Sequence, residues 1–396
     1  MSTPRCHMLI GALSVCVALA AGVNAAANVW RATQPERVLH LNARDHLALM
    51  RQADRQLAGV SGPIVDLRQL PLIARRALAA EPLQTPALRL LALSAGGDVA
   101  SARRSMTLAH QVSRRDVGTQ LWLIEDSARQ GNLKSTLALY DESLLVGGGL
   151  SDILLPILSS GLSVREIRSG LVPYVRGGHQ WVPTFLSYAA TKGNAAEGAA
   201  QLLISAGGSR NGPAVASLDA QILTGLLSLG NFTLAQEYLT YMTSVGVVYA
   251  REIGFSVGST NPDLGPLAWS FTDDPDVGAQ LEAGQSIRIR VSPEQHGTVA
   301  QRVMLLMPGT YEFLQRVEFP PLATSAQTVW EWRCRASGDV IWSQAVPIRT
   351  SEATYSSRIV VPLRCGAVQV KLSVRGGDGQ GEAEIVIGGL RLVRGA

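Results

Sequence analysis

Lysine is nearly missing from this chain of 396 residues, occurring only at Lys134, Lys192 and Lys371. Its arginines form no basic run and are scattered among Asp and Glu in both halves. The net charge of +4 therefore reflects arginine on a solvated surface, because phosphate binding needs cations clustered on one face. Nucleic acid is not an expected partner. Metal-ligand spacing is also absent: no Cys-x-x-Cys or His-Glu-x-x-His occurs, and His7, His40, His46, His110, His179 and His296 are dispersed. No Gly-x-Ser-x-Gly elbow marks a nucleophile. The Gly-Gly-Asp-Gly-Gln-Gly run at 376–381 lacks the Lys-Ser or Lys-Thr of a phosphate loop and reads as a hairpin turn. The expectation is a non-enzyme with no cofactor and no metal site.

Two alternatives stay open. A glycosidase needs only two suitably spaced carboxylates, and Asp126, Asp141, Glu142 and Glu237 are candidates, although charges on such helices normally face water. The group Asp273-Asp274-Pro275-Asp276 has the oxygen ligands that Ca²⁺ takes, or it is a solvated turn.

What is present points first to export. An uncharged apolar run, Met8 to Val23, follows Arg5 and is itself followed by small residues at Asn24-Ala25-Ala26-Ala27. That is the layout of a signal peptide, and the run is also near the minimum length of a membrane anchor. Residues 1–27 are read as one or the other, which puts the body in the periplasm or anchored in the inner membrane facing it. Cys6 and Cys16 fall in this segment, leaving Cys334 and Cys365 as the pair in the body. An oxidising compartment favours a disulfide between them, with two buried free thiols as the alternative.

Between residues 28 and 252 a small-polar pair recurs at Gly97-Asp98, Gly131-Asn132, Gly193-Asn194 and Gly230-Asn231. The first two glycines are 34 residues apart and the last two 37. Five residues after each Gly comes a small side chain or none: Ala102, Thr136, Gly198 and Ala235. Apolar helical patterns lie on both sides of each pair, so each unit reads as a helix hairpin. Period, turn and small residue together resemble the tetratricopeptide repeat, which implies an α-solenoid whose surface takes protein partners. A generic helical array is the alternative, and residues 150–182, with Pro156 and Pro173, do not keep the register.

Residues 253–268, rich in Gly, Ser, Asn and Pro, read as a linker. From 269 to 396 the apolar period becomes two, as in Ile287-Ile289-Val291, Trp330-Trp332 and Val368-Val370-Leu372-Val374. Short strands with no helical run between them predict an antiparallel β-sandwich, jelly-roll-like. Cys334 continues the Trp330-Trp332 alternation and Cys365 that of Ile359-Val361-Leu363, so both sulfurs are expected to face the core. Closing a loop of about 30 residues, the bond would stabilise by roughly 3 to 4 kcal/mol.

The aromatic residues carry the best functional suspicion. Trp330 and Trp332 share the core face, which leaves Trp342 and Trp269 as candidate platforms for stacking on a sugar ring. Two functions follow. The first is an exported, non-enzymatic adaptor of the cell envelope, holding a protein partner on the helices and linked to polysaccharide synthesis or export. The second is a carbohydrate-binding protein whose sandwich takes a glycan.

Overall fold

The computed structural model describes residues 3–57, 67–147, 149–191, 195–207, 213–242, 252–256, 258–282, 285–318, 326–346, 352–378 and 381–395. The chain divides into two compact units, Met1–Asp152 and Ile153–Ala396. The first is helical: α1 (Thr3–Thr33), α2 (Pro35–Leu41), α3 (His46–Leu57), α4 (Leu70–Ala80), α5 (Thr85–Leu93), α6 (Val99–Val112), α7 (Val117–Arg129) and α8 (Leu133–Val146). The second holds α9 (Ser151–Gly161), α10 (Arg165–Arg176), α11 (Val182–Thr191), α12 (Ala196–Ala206), α13 (Pro213–Ser228) and α14 (Phe232–Met242), followed by two β-sheets. The division falls inside the region 28–252 read as one helical domain. Among the described residues, no helix is long and apolar enough to cross a membrane. The side chains of residues 1–13 and 15, which include much of the apolar run, lie outside the described residues.

Helix hairpins occur at the recurring turns. Gly97, Gly131 and Gly230 sit at φ +99, +69 and +74, the left-handed region open to glycine. The next residue then caps the following helix: Asp98 accepts from the Ser101 N–H (3.0 Å), Asn132 from Ser135 (3.0 Å) and Asn231 from Leu234 (3.1 Å). Gly193 and Asn194 lie outside the described residues. Ala102, Thr136 and Ala235 are buried, and a methyl added at Gly198 would come within 2.6 Å of the Leu162 Cβ, so the small residues mark close approaches. Residues 150–182 hold α9 and α10, each with a proline inside. Their connection uses Arg168, whose guanidinium donates to the Leu162 and Ser163 carbonyls (2.6 and 3.0 Å), in place of a glycine turn.

Among the described residues of the first unit, alanines such as Ala53, Ala74, Ala77 and Ala87 are buried beside Leu, Met and Ile, and arginine clamps join its elements. Arg89 of α5 bridges Asp54 of α3 and Asp116 before α7. Arg103 of α6 grips Asp126 of α7 with two bonds (2.7 and 3.0 Å).

The sandwich consists of β1 (Ser270–Phe271), β2 (Val277–Glu282), β3 (Ser286–Val291), β4 (His296–Met304), β5 (Gly309–Glu318), β6 (Gln327–Cys334), β7 (Val340–Ala345), β8 (Ala353–Val361), β9 (Val368–Arg375) and β10 (Ala383–Arg394). One antiparallel sheet runs β1-β4-β9-β6-β7 and the other β2-β3-β10-β5-β8. The period-two residues interdigitate between them, with Phe313 edge-on to Trp330 and tilted on Trp332, both at 5.5 Å. The Cys334–Cys365 disulfide (Cα–Cα 5.6 Å) ties the end of β6 in one sheet to the segment that leaves β8 of the other.

Three local expectations differ from the structure. Among the described residues of 253–268, read as a linker, Ile253, Phe255, Leu264 and Leu267 are buried, and Gly265 fits against the Ala220 backbone of α13. Leu363 does not continue the inward alternation, because β8 stops at Val361 before Pro362 and the side chain is 91% exposed. The 376–381 run is not a hairpin turn, since it leads from β9 in one sheet to β10 in the other.

Candidate functional site

The outer face of the β1-β4-β9-β6-β7 sheet carries a polar surface built by strand alternation. On β9, Val368, Val370, Leu372 and Val374 face the core, so Gln369, Lys371, Ser373 and Arg375 face outward. On β6, Thr328, Trp330, Trp332 and Cys334 point in, leaving Gln327, Val329, Glu331 and Arg333 outside. Antiparallel register sets these side chains in rows across the strands: His296–Arg375–Gln327, Thr298–Ser373–Val329 and Gln301–Lys371–Glu331. A bulge between Thr298 and Ala300 shifts the β4 register between the second and third rows.

At the end of the sheet where the first row lies, the surface sinks into a groove of about 840 Å³. Glu294, His296, Thr298, Gln327, Ser373, Arg375 and Asp378 line it. The loop geometry is specific. Glu294 is one of two non-glycine residues with positive φ among the described residues (+60). It is held there by its N–H bond to the Gly377 carbonyl (3.2 Å), beside the Gly376 N–H bond to the Gln295 carbonyl (2.7 Å). A Cβ at residue 376 would fall 2.1 Å from the Ser292 carbonyl oxygen, so glycine alone allows this approach. The conformation at Glu294 costs on the order of 1 kcal/mol, and backbone strain of this kind collects at functional sites. It sets Glu294 and Asp378, one from each of two neighbouring loops, on the groove that Arg375 and Gln327 enter from the strands.

The groove can both donate and accept. Arg375 and Gln327 offer N–H groups, Glu294 and Asp378 accept, and Thr298 and Ser373 do either, already sharing a 3.2 Å hydroxyl contact. No Phe, Tyr or Trp is among the described residues that line it.

The sequence-derived candidates lie elsewhere. Trp269 is not a platform: it is 3% exposed, and its Nε1–H donates to the Ile253 carbonyl (3.1 Å). Its ring is enclosed by Phe255 (4.9 Å), Phe271 (6.4 Å) and the Arg302 guanidinium (5.5 Å). Burial pulls the Arg302 pKa down to about 10, which still leaves it charged near neutrality, and it donates to the Glu252 carbonyl (2.7 Å). Trp342 is half-buried on the edge strand β7, with its ring against Trp332 (6.0 Å) and Phe313 (5.8 Å). Among the acids, Asp126 is occupied by Arg103 and Gln130, and Glu142 by Arg114 (2.7 Å) and His110 (3.1 Å), while Glu237 is exposed. In the acidic turn, Asp274 accepts from the Asp276 N–H (2.9 Å). No group of three metal-ligating side chains occurs among the described residues. The groove residues escaped the sequence reading, although the polar half of the β6 and β9 alternations was the available signal.

No family model matches the chain, and no curated protein matches it. Among solved structures, a carbohydrate-binding module, TmCBM61 in complex with β-1,4-galactotriose, is 15% identical, with 36% of this chain and 94% of the other covered at a TM-score of 0.26. A family 16 carbohydrate-binding module is 14% identical over 31% of this chain and 90% of its own, at 0.24. The enzymatically active domain of bacteriophage CBA120 tailspike protein 4 is 10% identical over 36% of this chain and 21% of its own, at 0.26. At this level of likeness the ligand of none of them transfers to this chain.

Proposed function

We propose that this chain is a non-enzymatic glycan-binding protein of an oxidising compartment outside the cytoplasm, which takes its ligand in the groove on the β4-β9-β6 face. The observation that carries the reading is the in-register row His296–Arg375–Gln327 lining one groove with Glu294 and Asp378. A sugar presents hydroxyls that donate and accept in alternation. A groove with donors on the strands and carboxylates on the loops satisfies both roles, and glycines hold it in shape before the ligand arrives. Without a Phe, Tyr or Trp platform, selectivity rests on hydrogen bonds, each of which punishes a missing hydroxyl by leaving a polar partner unpaired. The disulfide supports the compartment, since such bonds persist where thiols are not kept reduced. The adaptor reading, a protein partner on the helices, rests on the hairpin turns alone and is secondary.

Glycan-array screening followed by calorimetry tests the proposal. Arg375→Ala and Gln327→Ala alter exposed side chains and are expected to leave folding intact while weakening binding about tenfold each, the effect of one hydrogen bond to a charged or amide partner. Trp342→Ala is expected to leave binding unchanged. A wild-type protein that retains no glycan, or binding that responds to Trp342 and not to Arg375, would overturn it.

A further inference from the structure

At the opposite end of the same strands lies a tip of different chemistry. Gln327 pairs with Arg375 at the groove, whereas Cys334 pairs with Val368 at the far end of the β6–β9 ladder. Seven residues of strand separate the two ends, about 23 Å. Beyond Cys334 the chain turns tightly, with the Gly338 N–H donating to the Cys334 carbonyl and the Cys334 N–H to the Asp339 carbonyl (both 2.8 Å). The disulfide fastens this turn to a second one, in which the Cys365 N–H donates to the Pro362 carbonyl (3.0 Å). A further bond runs from the Arg335 N–H to the Ala367 carbonyl (3.0 Å).

The tip so fixed presents Leu363, 91% exposed, with Val340 at 46%. Arg335 directly follows one bridged cysteine and Arg364 directly precedes the other, and both are exposed. Neither has an ion-pair partner among the described residues. On the same turn Asp339 is exposed, and Arg333 is engaged by Glu331 (3.0 Å) and the Gly338 carbonyl (2.7 Å). Leu363 thus stands exposed on a covalently stapled turn with an unpaired arginine next to each bridged cysteine, while the adjoining Gly366 packs against Phe232 of α14.

We propose that this tip docks on an anionic lipid surface, Leu363 entering the headgroup layer while Arg335 and Arg364 meet lipid phosphates. Charge complementarity selects the occupant. A fluid acyl boundary needs no matching shape, and the tip offers one apolar contribution and one electrostatic contribution, the two kinds that draw peripheral proteins to anionic membranes reversibly. The staple removes most of the ordering cost of insertion. Binding by the tip would leave the groove, at the other strand end, directed away from the lipid. This inference stands apart from the glycan reading and from the apolar N-terminal run.

The experiment is a lipid titration of the full chain by vesicle co-sedimentation, with equimolar phosphatidylcholine and phosphatidylglycerol against phosphatidylcholine alone. Leu363→Ser and the double variant Arg335→Glu with Arg364→Glu change exposed side chains, and circular dichroism verifies their fold. The N-terminal segment is the same in all three proteins, so a difference between them, and the loss of lipid preference in the double variant, reports the tip. Leu363→Ser is expected to weaken binding to anionic vesicles about tenfold, the value of one leucine removed from an apolar layer. The charge reversal is expected to cost at least about tenfold and to abolish the preference for phosphatidylglycerol. Equal affinity of wild type and Leu363→Ser, an unaltered lipid preference in the double variant, or no sedimentation with vesicles would each overturn the proposal. A protein partner lost with Leu363→Ser while vesicle binding is unaffected would assign the tip to protein docking instead.

Discussion

The helical unit Met1–Asp152 and the sandwich of the second unit are held together by different means. In the first, clusters of small and medium side chains such as Ala53, Ala74, Ala77 and Ala87 allow helices to approach, and buried or half-buried charges fasten one helix to the next. In the sandwich, one continuous cluster of aromatic and β-branched residues fills the space between two sheets, closed by a disulfide. Short helices cannot bury much apolar area per residue, so the arginine clamps supply both specificity and part of the stability. A sheet pair concentrates its stability in a few large side chains. Damage is therefore expected to be largest in the sandwich core, intermediate at a helical clamp and smallest at a helix cap.

Trp330→Ala should have the largest effect. The ring is fully buried between Phe313 and Trp269, and its Nε1–H donates to Gln315 (2.8 Å), itself buried. Truncation leaves a cavity and an unpaired amide, a loss of about 3–5 kcal/mol. Urea unfolding followed in the aromatic circular dichroism should show the sandwich melting early while part of the helical signal persists. Simultaneous loss of the whole helical signal would show that the two regions do not differ in the way proposed.

A clamp should matter less and should depend on pH. Hydrogen bonds from Arg103 lower the Asp126 pKa below the usual carboxylate value, against the opposing effect of burial. Because the folded pKa lies below the unfolded one, the carboxylate contributes stability that is present above about pH 4 and is lost as pH falls through the folded pKa. Arg103→Ala is expected to lower stability at neutral pH by less than Trp330→Ala does, by leaving a buried carboxylate with Gln130 as its remaining side-chain partner. The difference between variant and wild type should shrink as the pH is lowered through the acid range. A deficit that stayed constant down to acid unfolding would assign the loss to packing of the arginine stem rather than to charge.

How much of this was legible in the sequence follows the range of each signal. The turns at Gly97, Gly131 and Gly230 could be read because a left-handed glycine followed by a capping side chain is local chemistry. The sandwich and its disulfide were legible because alternation carries both the strand and its inward face. Trp269 was misread because its neighbours at 254–266 have the composition of a linker, whereas the burial of Phe255 and Leu267 depends on contacts with distant elements. The Leu363 expectation extended an alternation two residues beyond the proline that ends the strand. The groove was legible only in part: alternation marks Gln327 and Arg375 as outward-facing, but His296, Gln327 and Arg375 come together only through the strand order β4-β9-β6, which no single stretch of sequence encodes.

The smallest of the three effects isolates what such a local signal contributes. Asn132 accepts the Ser135 N–H through its side chain, and its carbonyl receives the Thr136 hydroxyl (2.9 Å). Asn132→Ala removes only the first of these and is expected to cost about 1 kcal/mol, read as a lowered urea midpoint for the helical signal with an unchanged slope. Asn132→Asp keeps an acceptor in place and adds a negative charge at a helix N-terminus, so it should match or slightly exceed the wild type at neutral pH. If aspartate were as harmful as alanine, the side-chain cap would not be what holds this turn. The left-handed Gly131 would then be its main determinant, with Gly131→Ala costing about as much through backbone strain.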